Sequence, residues 1–138
     1  MSATGLDITL AHNGVAYQAQ IASVGYTTLG TEDHGIFTAE IGFTWPGGGQ
    51  GIPARGLASE KWPDSNGYGI EHLWSIIRTV GCGSWEELKG SSCLILRTSY
   101  FGLIEGIADL NAERVLIFAE HHDAWEAAHP RTAAELAP

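Results

Sequence analysis

The chain has 138 residues, 44% of them hydrophobic, which is the length of one domain and enough apolar matter for a core. Its formal charge is −9, from sixteen acidic and seven basic residues. That charge argues against direct binding of nucleic acid or anionic lipid, both of which need basic patches, and favours a basic partner. No apolar run approaches the ~20 residues of a membrane span. The start, Met1-Ser2-Ala3-Thr4-Gly5, lacks the basic and apolar regions of a signal peptide, so a cytoplasmic setting is expected. Cys82 and Cys93 are then expected as free thiols.

Residues 6–11 alternate apolar and polar and predict a strand. Asn13-Gly14 is a strong hairpin signal, and residues 15–24 alternate again as its second strand. Gly30 to Gly35 reads as a connection, and Ile36 to Trp45 as a third strand. From Pro46 to Gly69 the abundance of Gly, Pro, Ser, Asn and Asp predicts a long loop. Loops of this length are usually functional.

Ile70, Leu73, Trp74, Ile77 and Val80 fall at helical spacing and predict an amphipathic helix over residues 69–80, with Gly81 as its stop. Ser84-Trp85-Glu86-Glu87 is a capping box ahead of a short second helix that ends at Gly90. Strands are expected at 92–98, 103–110 and 114–120, followed by a helical turn over 123–128. Residues 131–138 read as a flexible tail. The whole is an α+β domain: a mostly antiparallel sheet of about six strands with one main amphipathic helix and a short second helix.

Chemistry-bearing residues cluster in three places. Glu32-Asp33-His34 places two carboxylates beside an imidazole, the ingredients of an acid/base pair, although adjacent residues on an extended chain point apart. His121-His122-Asp123 follows a strand and, with Asp33 and His34, would supply a metal-type donor set; nothing in the spacing brings the two segments together. Gly47-Gly48-Gly49-Gln50-Gly51 is glycine-rich, but no Lys-Ser/Thr and no helix follow it, so it lacks a phosphate-loop signature. Gln50 is the one side chain there able to hydrogen-bond a partner. Trp74 and Trp85 read as core, whereas Trp45 and Trp62 bracket the expected loop and suit an exposed contact. The candidate binding residues are therefore Glu32, Asp33, His34, Glu40, Trp45, Gln50, Trp62 and Asp64. No catalytic group, metal or other cofactor is assigned.

The runs Leu29-Gly30-Thr31-Glu32-Asp33-His34-Gly35-Ile36-Phe37-Thr38, Gly49-Gln50-Gly51 and Ser84-Trp85-Glu86-Glu87-Leu88-Lys89-Gly90 resemble those of a group of small uncharacterised proteins encoded by bacteriophages and prophages. The resemblance spans residues 20–97 and implies a phage setting in the host cytoplasm. The group often follows its glycine turn with more glycine and an aromatic, where this chain has Ile52-Pro53-Ala54-Arg55. In size and charge the chain is similar to anti-CRISPR and other anti-defence proteins. The leading expectation is thus an acidic, non-enzymatic binding protein that inhibits or modulates a host protein complex of the basic, nucleic-acid-binding kind. Two alternatives stand beside it. One is a binder or enzyme for a nucleotide signal that uses Glu32-Asp33-His34 and Gln50; the other is a minor phage structural component, for which self-association is expected.

Overall fold

The computed structural model describes residues 8–31, 36–59, 67–99 and 102–130, with the backbone alone at 36 and 54–59. Among the described residues, seven strands and two α-helices follow one another as β1 (Ile8–His12), β2 (Val15–Thr31), β3 (Ile36–Trp45), β4 (Gly48–Ser59), α1 (Tyr68–Val80), β5 (Ser92–Arg97), β6 (Gly106–Ala108), β7 (Val115–Ile117) and α2 (Phe118–Ala128). A 3₁₀ turn, Glu86–Leu88, precedes β5. The strands form one sheet in the order β4-β3-β2-β5-β6-β7, and β1 pairs with β2. Every pairing is antiparallel. The expected α+β architecture is the observed one. No helix among the described residues is long and apolar enough to cross a membrane.

The 17-residue β2 is the spine. Asn13 and Gly14 both take positive φ, 48° and 80°, as a two-residue hairpin turn requires, and they set the register His12↔Val15. Farther along, β2 pairs with β5 from Gln18 to Ser23 and with β3 from Ser23 to Thr31. A bulge at Gly25, between Val24 and Tyr26, interrupts the β2–β3 pairing just past the end of the β5 stretch. Because of it Val24 faces the α1 side while Tyr26 lies on the opposite face. There the phenol crosses Gly42 and Gly51 and reaches the Glu40 carboxylate. A side chain at 42 would stand 2.0 Å from the Tyr26 ring, so two glycines provide its bed.

Strand alternation sends β5 residues to both faces of the sheet. Cys93 and Ile95 join Phe43, Ile41, Ile107 and Ile76 beneath α1. Leu94 and Leu96 join Leu10, Tyr17, Ala19 and Ile117 on the other side. Burial of Cys93 pushes its thiol up to about 12, which leaves it inert at neutral pH. Both cysteines are free.

Several boundaries differ from the sequence reading, each for a local reason. Within the loop predicted from Pro46 to Gly69, residues 46–59 are instead a tight Pro46-Gly47 turn followed by the 12-residue β4, and residues 60–66 lie outside the described residues. Proline followed by a glycine at φ 89° is the signature of a two-residue turn. Glycine does not break the strand here because β4 is paired along its length to β3 and Ile52 anchors it in the core. β2 runs through Gly30 and Thr31, which the sequence places in a connection. The strand expected at 103–110 shortens to three residues, because the carboxylate of Asp109 accepts bonds from the Glu113 and Arg114 amides and turns the chain. The strand expected at 114–120 ends at Ile117, and the single turn expected at 123–128 is a three-turn helix that begins at Phe118. Asp123 therefore sits inside α2. The capping box forms in part: Glu87 N donates to Ser84 Oγ at 3.2 Å, while Glu87 Oε2 accepts from Gly83 N, one residue ahead of Ser84, at 2.9 Å, and the whole encloses a single 3₁₀ turn. The expected tail at 131–138 lies outside the described residues.

Candidate functional site

Three places bring chemistry or apolar surface together. Of the predicted binding residues, Glu32, Asp33, His34, Trp62 and Asp64 lie outside the described residues. Glu40 accepts the Tyr26 hydroxyl on the open face of the sheet; this bond, then partial desolvation, raises the Tyr26 pKa. Trp45 and Gln50 come together at the first place, a cleft of about 380 Å³ beside the Pro46-Gly47 turn. Trp45, Gly48, Gln50, Arg97 and Leu103 are among its walls. Gln50 Oε1 accepts from Ile104 N at 2.9 Å, which pins the segment bearing Leu103 to the turn.

The second place lies between α1 and α2, where His121 and His122 stand. His121 Nε2 is 2.9 Å from Glu71 Oε2 and 3.1 Å from Ser75 Oγ. The Ser75 hydroxyl donates to Glu71 at 2.8 Å, and Arg78 reaches the same carboxylate at 3.2 Å. Burial works to raise the Glu71 pKa, but the hydrogen bonds from His121 and Ser75 and the charge of Arg78 outweigh it and hold it low. Tyr68 stands between His72 and His121, its hydroxyl 3.4 Å and 3.3 Å from their Nδ1 atoms. Burial first, then the carboxylates of Glu71, Asp123 and Glu126, push that hydroxyl up to about 12, so it stays protonated.

This cluster has the residue types of a nucleophilic triad but not the geometry. In a triad the imidazole uses opposite nitrogens for the hydroxyl and the carboxylate. Here Nε2 meets both, and Ser75 spends its proton on Glu71 with only 4% of its surface exposed. The arrangement is a latch. α2 has no fully buried residue. The Glu71–His121 pair holds it from one side, and at the hairpin His12 and Asn13 meet Glu120 at 3.1 Å and 2.9 Å.

The third place is the outer flank of α1. The sequence predicts that this helix buries Ile70, Leu73, Trp74, Ile77 and Val80. It buries Gly69, His72, Ser75, Ile76 and Thr79 most deeply, a face rotated by about a third of a turn, while Leu73, Ile77 and Val80 are half-buried against the core. Ile70 is 61% exposed and Trp74 56% exposed, so Trp74 is a surface residue and not core. The Arg78 guanidinium lies 4.3 Å over the Trp74 ring, which extends the line Ile70-Trp74-Arg78 at four-residue spacing down the outer surface. The polar face is accepted inside because most of it bonds locally: Thr79 Oγ1 donates to Ser75 O at 2.7 Å, and Ser75 to Glu71. Its small residues let the helix approach closely, with Ile76 as the fully buried anchor. The signal in the sequence is Glu71, Ser75 and Arg78 recurring at four- and three-residue intervals, a polar ladder that marks a seam.

No family model, curated protein or solved structure matches this chain.

Proposed function

We propose that the protein is a non-enzymatic binding module that docks on a basic partner protein through the outer flank of α1. The observation that carries this is the exposure of Ile70 and Trp74 on a helix that buries its polar face instead. Leaving a Trp in water forgoes on the order of 2 kcal/mol of burial, and tryptophan is among the residues that most often anchor interfaces. The charge of −9 favours a basic partner and disfavours a second copy of the same chain, which would bring equal charge. The phage setting implied by the sequence motifs fits an inhibitor of a host complex whose working surface is basic.

The test is capture from host lysate by wild type and by an Ile70→Ser/Trp74→Ser variant, at low and high salt, with the oligomeric state of the bait measured alongside. A basic protein held at low salt, released by high salt and lost with the variant is the expected result. Capture that survives the double substitution, or a bait that is itself a dimer through this flank, contradicts the proposal. Both positions are exposed, so the variant is expected to keep its melting temperature to within the shift of about 0.5–1 kcal/mol typical of surface changes.

A further inference from the structure

On the face of the sheet away from α1, the Tyr26 ring lies flat. A methyl group added at Gly42 would stand 2.0 Å from Cε1 and 2.4 and 2.5 Å from Cδ1 and Cζ, the carbons on either side of it. Such distances belong to a point beneath the ring plane; a point beyond the ring's edge would be farther from the two flanking carbons. One face of the ring therefore rests on the Gly42 backbone. The phenol oxygen reaches over Gly51, where a methyl group would stand 2.6 Å from it. Glycine weakens a strand interior, so this bed costs stability that the flat ring requires. The hydroxyl donates to Glu40 Oε2, which holds the ring down. The other ring face is turned to solvent, and Tyr26 is 41% exposed. Glu40 stands at the rim of this platform, and Thr28, opposite Glu40 in the β2–β3 register, is exposed beside it.

We propose that this platform binds an arginine side chain of a basic protein, the guanidinium stacking on the open face of Tyr26 and donating from its edge to Glu40. The face of an aromatic ring attracts a cation, and a guanidinium is planar and weakly hydrated, so it can lie flat against that face. An ionised carboxylate has about four lone-pair sites, of which the phenol takes one, so Glu40 keeps acceptors for a charge-assisted bond. Lysine offers a compact, strongly hydrated charge with no plane to stack. The net charge of −9 draws basic ligands and repels anionic ones. The platform and the α1 flank lie on opposite faces of the sheet, so this site stands whether or not the flank binds.

The probe is a blocked Gly-Arg-Gly peptide, titrated at constant ionic strength while backbone amide and aromatic ring resonances are followed. Beside it run the same peptide with lysine or with neutral citrulline in place of arginine, and methyl β-glucoside, since a sugar ring also stacks on flat aromatics. Saturable shifts are expected for the Tyr26 ring and the Gly42, Gly51 and Thr28 amides with the arginine peptide. The lysine peptide is expected to bind at least about threefold more weakly, and citrulline and the glucoside at least about tenfold. Glu40→Gln keeps an acceptor for the phenol but removes the charge, and is expected to weaken arginine binding at least about threefold. Glu113→Gln, between β6 and β7 at the far end of the sheet, changes the net charge equally and is expected to leave binding unchanged. No shift at these residues, equal binding of the lysine peptide or the glucoside, or binding no weaker in Glu40→Gln than in Glu113→Gln overturns the inference.

Discussion

Replacing Gly106 with alanine is expected to destabilise the fold by about 3 kcal/mol, the upper end of typical overpacking costs. Gly106 sits in β6 between Leu96 on one side and Ile117 on the other. A methyl group there would lie 2.4 Å from the carbonyl oxygen of Leu116 and 3.1 Å from the Ile117 Cα, both backbone atoms. Backbone cannot swing aside as a side chain can, so β6 and β7 would have to separate. That separation strips the short ladder from which α2 departs. Gly14 is the internal control: it takes φ 80°, and a methyl group added there would meet nothing within 4 Å. Gly14→Ala therefore carries only the left-handed backbone penalty of about 1–2 kcal/mol. Urea unfolding of the two variants checks the order. A Gly106→Ala cost no larger than that of Gly14→Ala would contradict the β6–β7 packing.

Stability is expected to fall by about 2 kcal/mol between pH 7 and pH 5, with His72 as the cause. His72 is 5% exposed; burial first, then the neighbouring imidazoles of His121 and His122, lower its pKa from 6.5 to about 4. Tyr68 and Phe118 supply the rings around it, at centroid distances of 5.8 Å and 5.6 Å. The sign follows from proton binding. Below pH 6.5 the unfolded chain takes up a proton that the folded chain refuses until about pH 4, so the unfolded state gains as pH falls. The contribution of His72 is therefore complete above its unfolded pKa and is lost through the window from 6.5 down to 4. The lowered pKa values of Glu71 and Glu120 act with the same sign, but below about 4.5, outside the interval from pH 7 to pH 5. His72→Leu is expected to flatten the slope between pH 7 and pH 5. It also removes an Nε2 that has no hydrogen-bond partner among the described residues, so little stability should be lost at pH 7. Denaturant midpoints at the two pH values decide it; an unchanged slope in His72→Leu would place the titration elsewhere.

The sheet is legible in the sequence wherever a local rule acts alone. Asn13-Gly14, the alternation of Ile36 to Trp45, the Gly81 stop and the Ser84–Glu87 box each follow from backbone geometry or capping, and each is present. Legibility fails where a residue's meaning depends on a distant neighbour. The glycines of β4 read as loop because nothing in the sequence reveals that Tyr26 lies across Gly42 and Gly51. The period of α1 is plain, but apolarity points to the wrong face, and the structure buries one that satisfies itself through Ser75, Thr79 and Glu71. The same rule puts Trp74 in the core. Trp45 and Gln50 stand out from their turn, yet their companion Arg97 is about fifty residues away in sequence, beyond the reach of any spacing argument.

The rotation of α1 is also what gives the binding proposal its content. A helix that buried its whole apolar stripe would turn Glu71 and Ser75 outward, and α2 would lose its latch to Glu71. With one edge of the stripe outside, Ile70 and Trp74 can meet another protein without disturbing the core.

The most direct measurement is the dissociation constant of the salt-released partner for wild type and for Trp74→Ala, with the melting temperature of each bait taken in the same buffer. The account predicts at least tenfold weaker binding, about 1.4 kcal/mol or more, at an unchanged melting temperature. Equal affinity for the two proteins, or weaker binding accompanied by a large drop in melting temperature, would show that Trp74 serves the fold and not a partner.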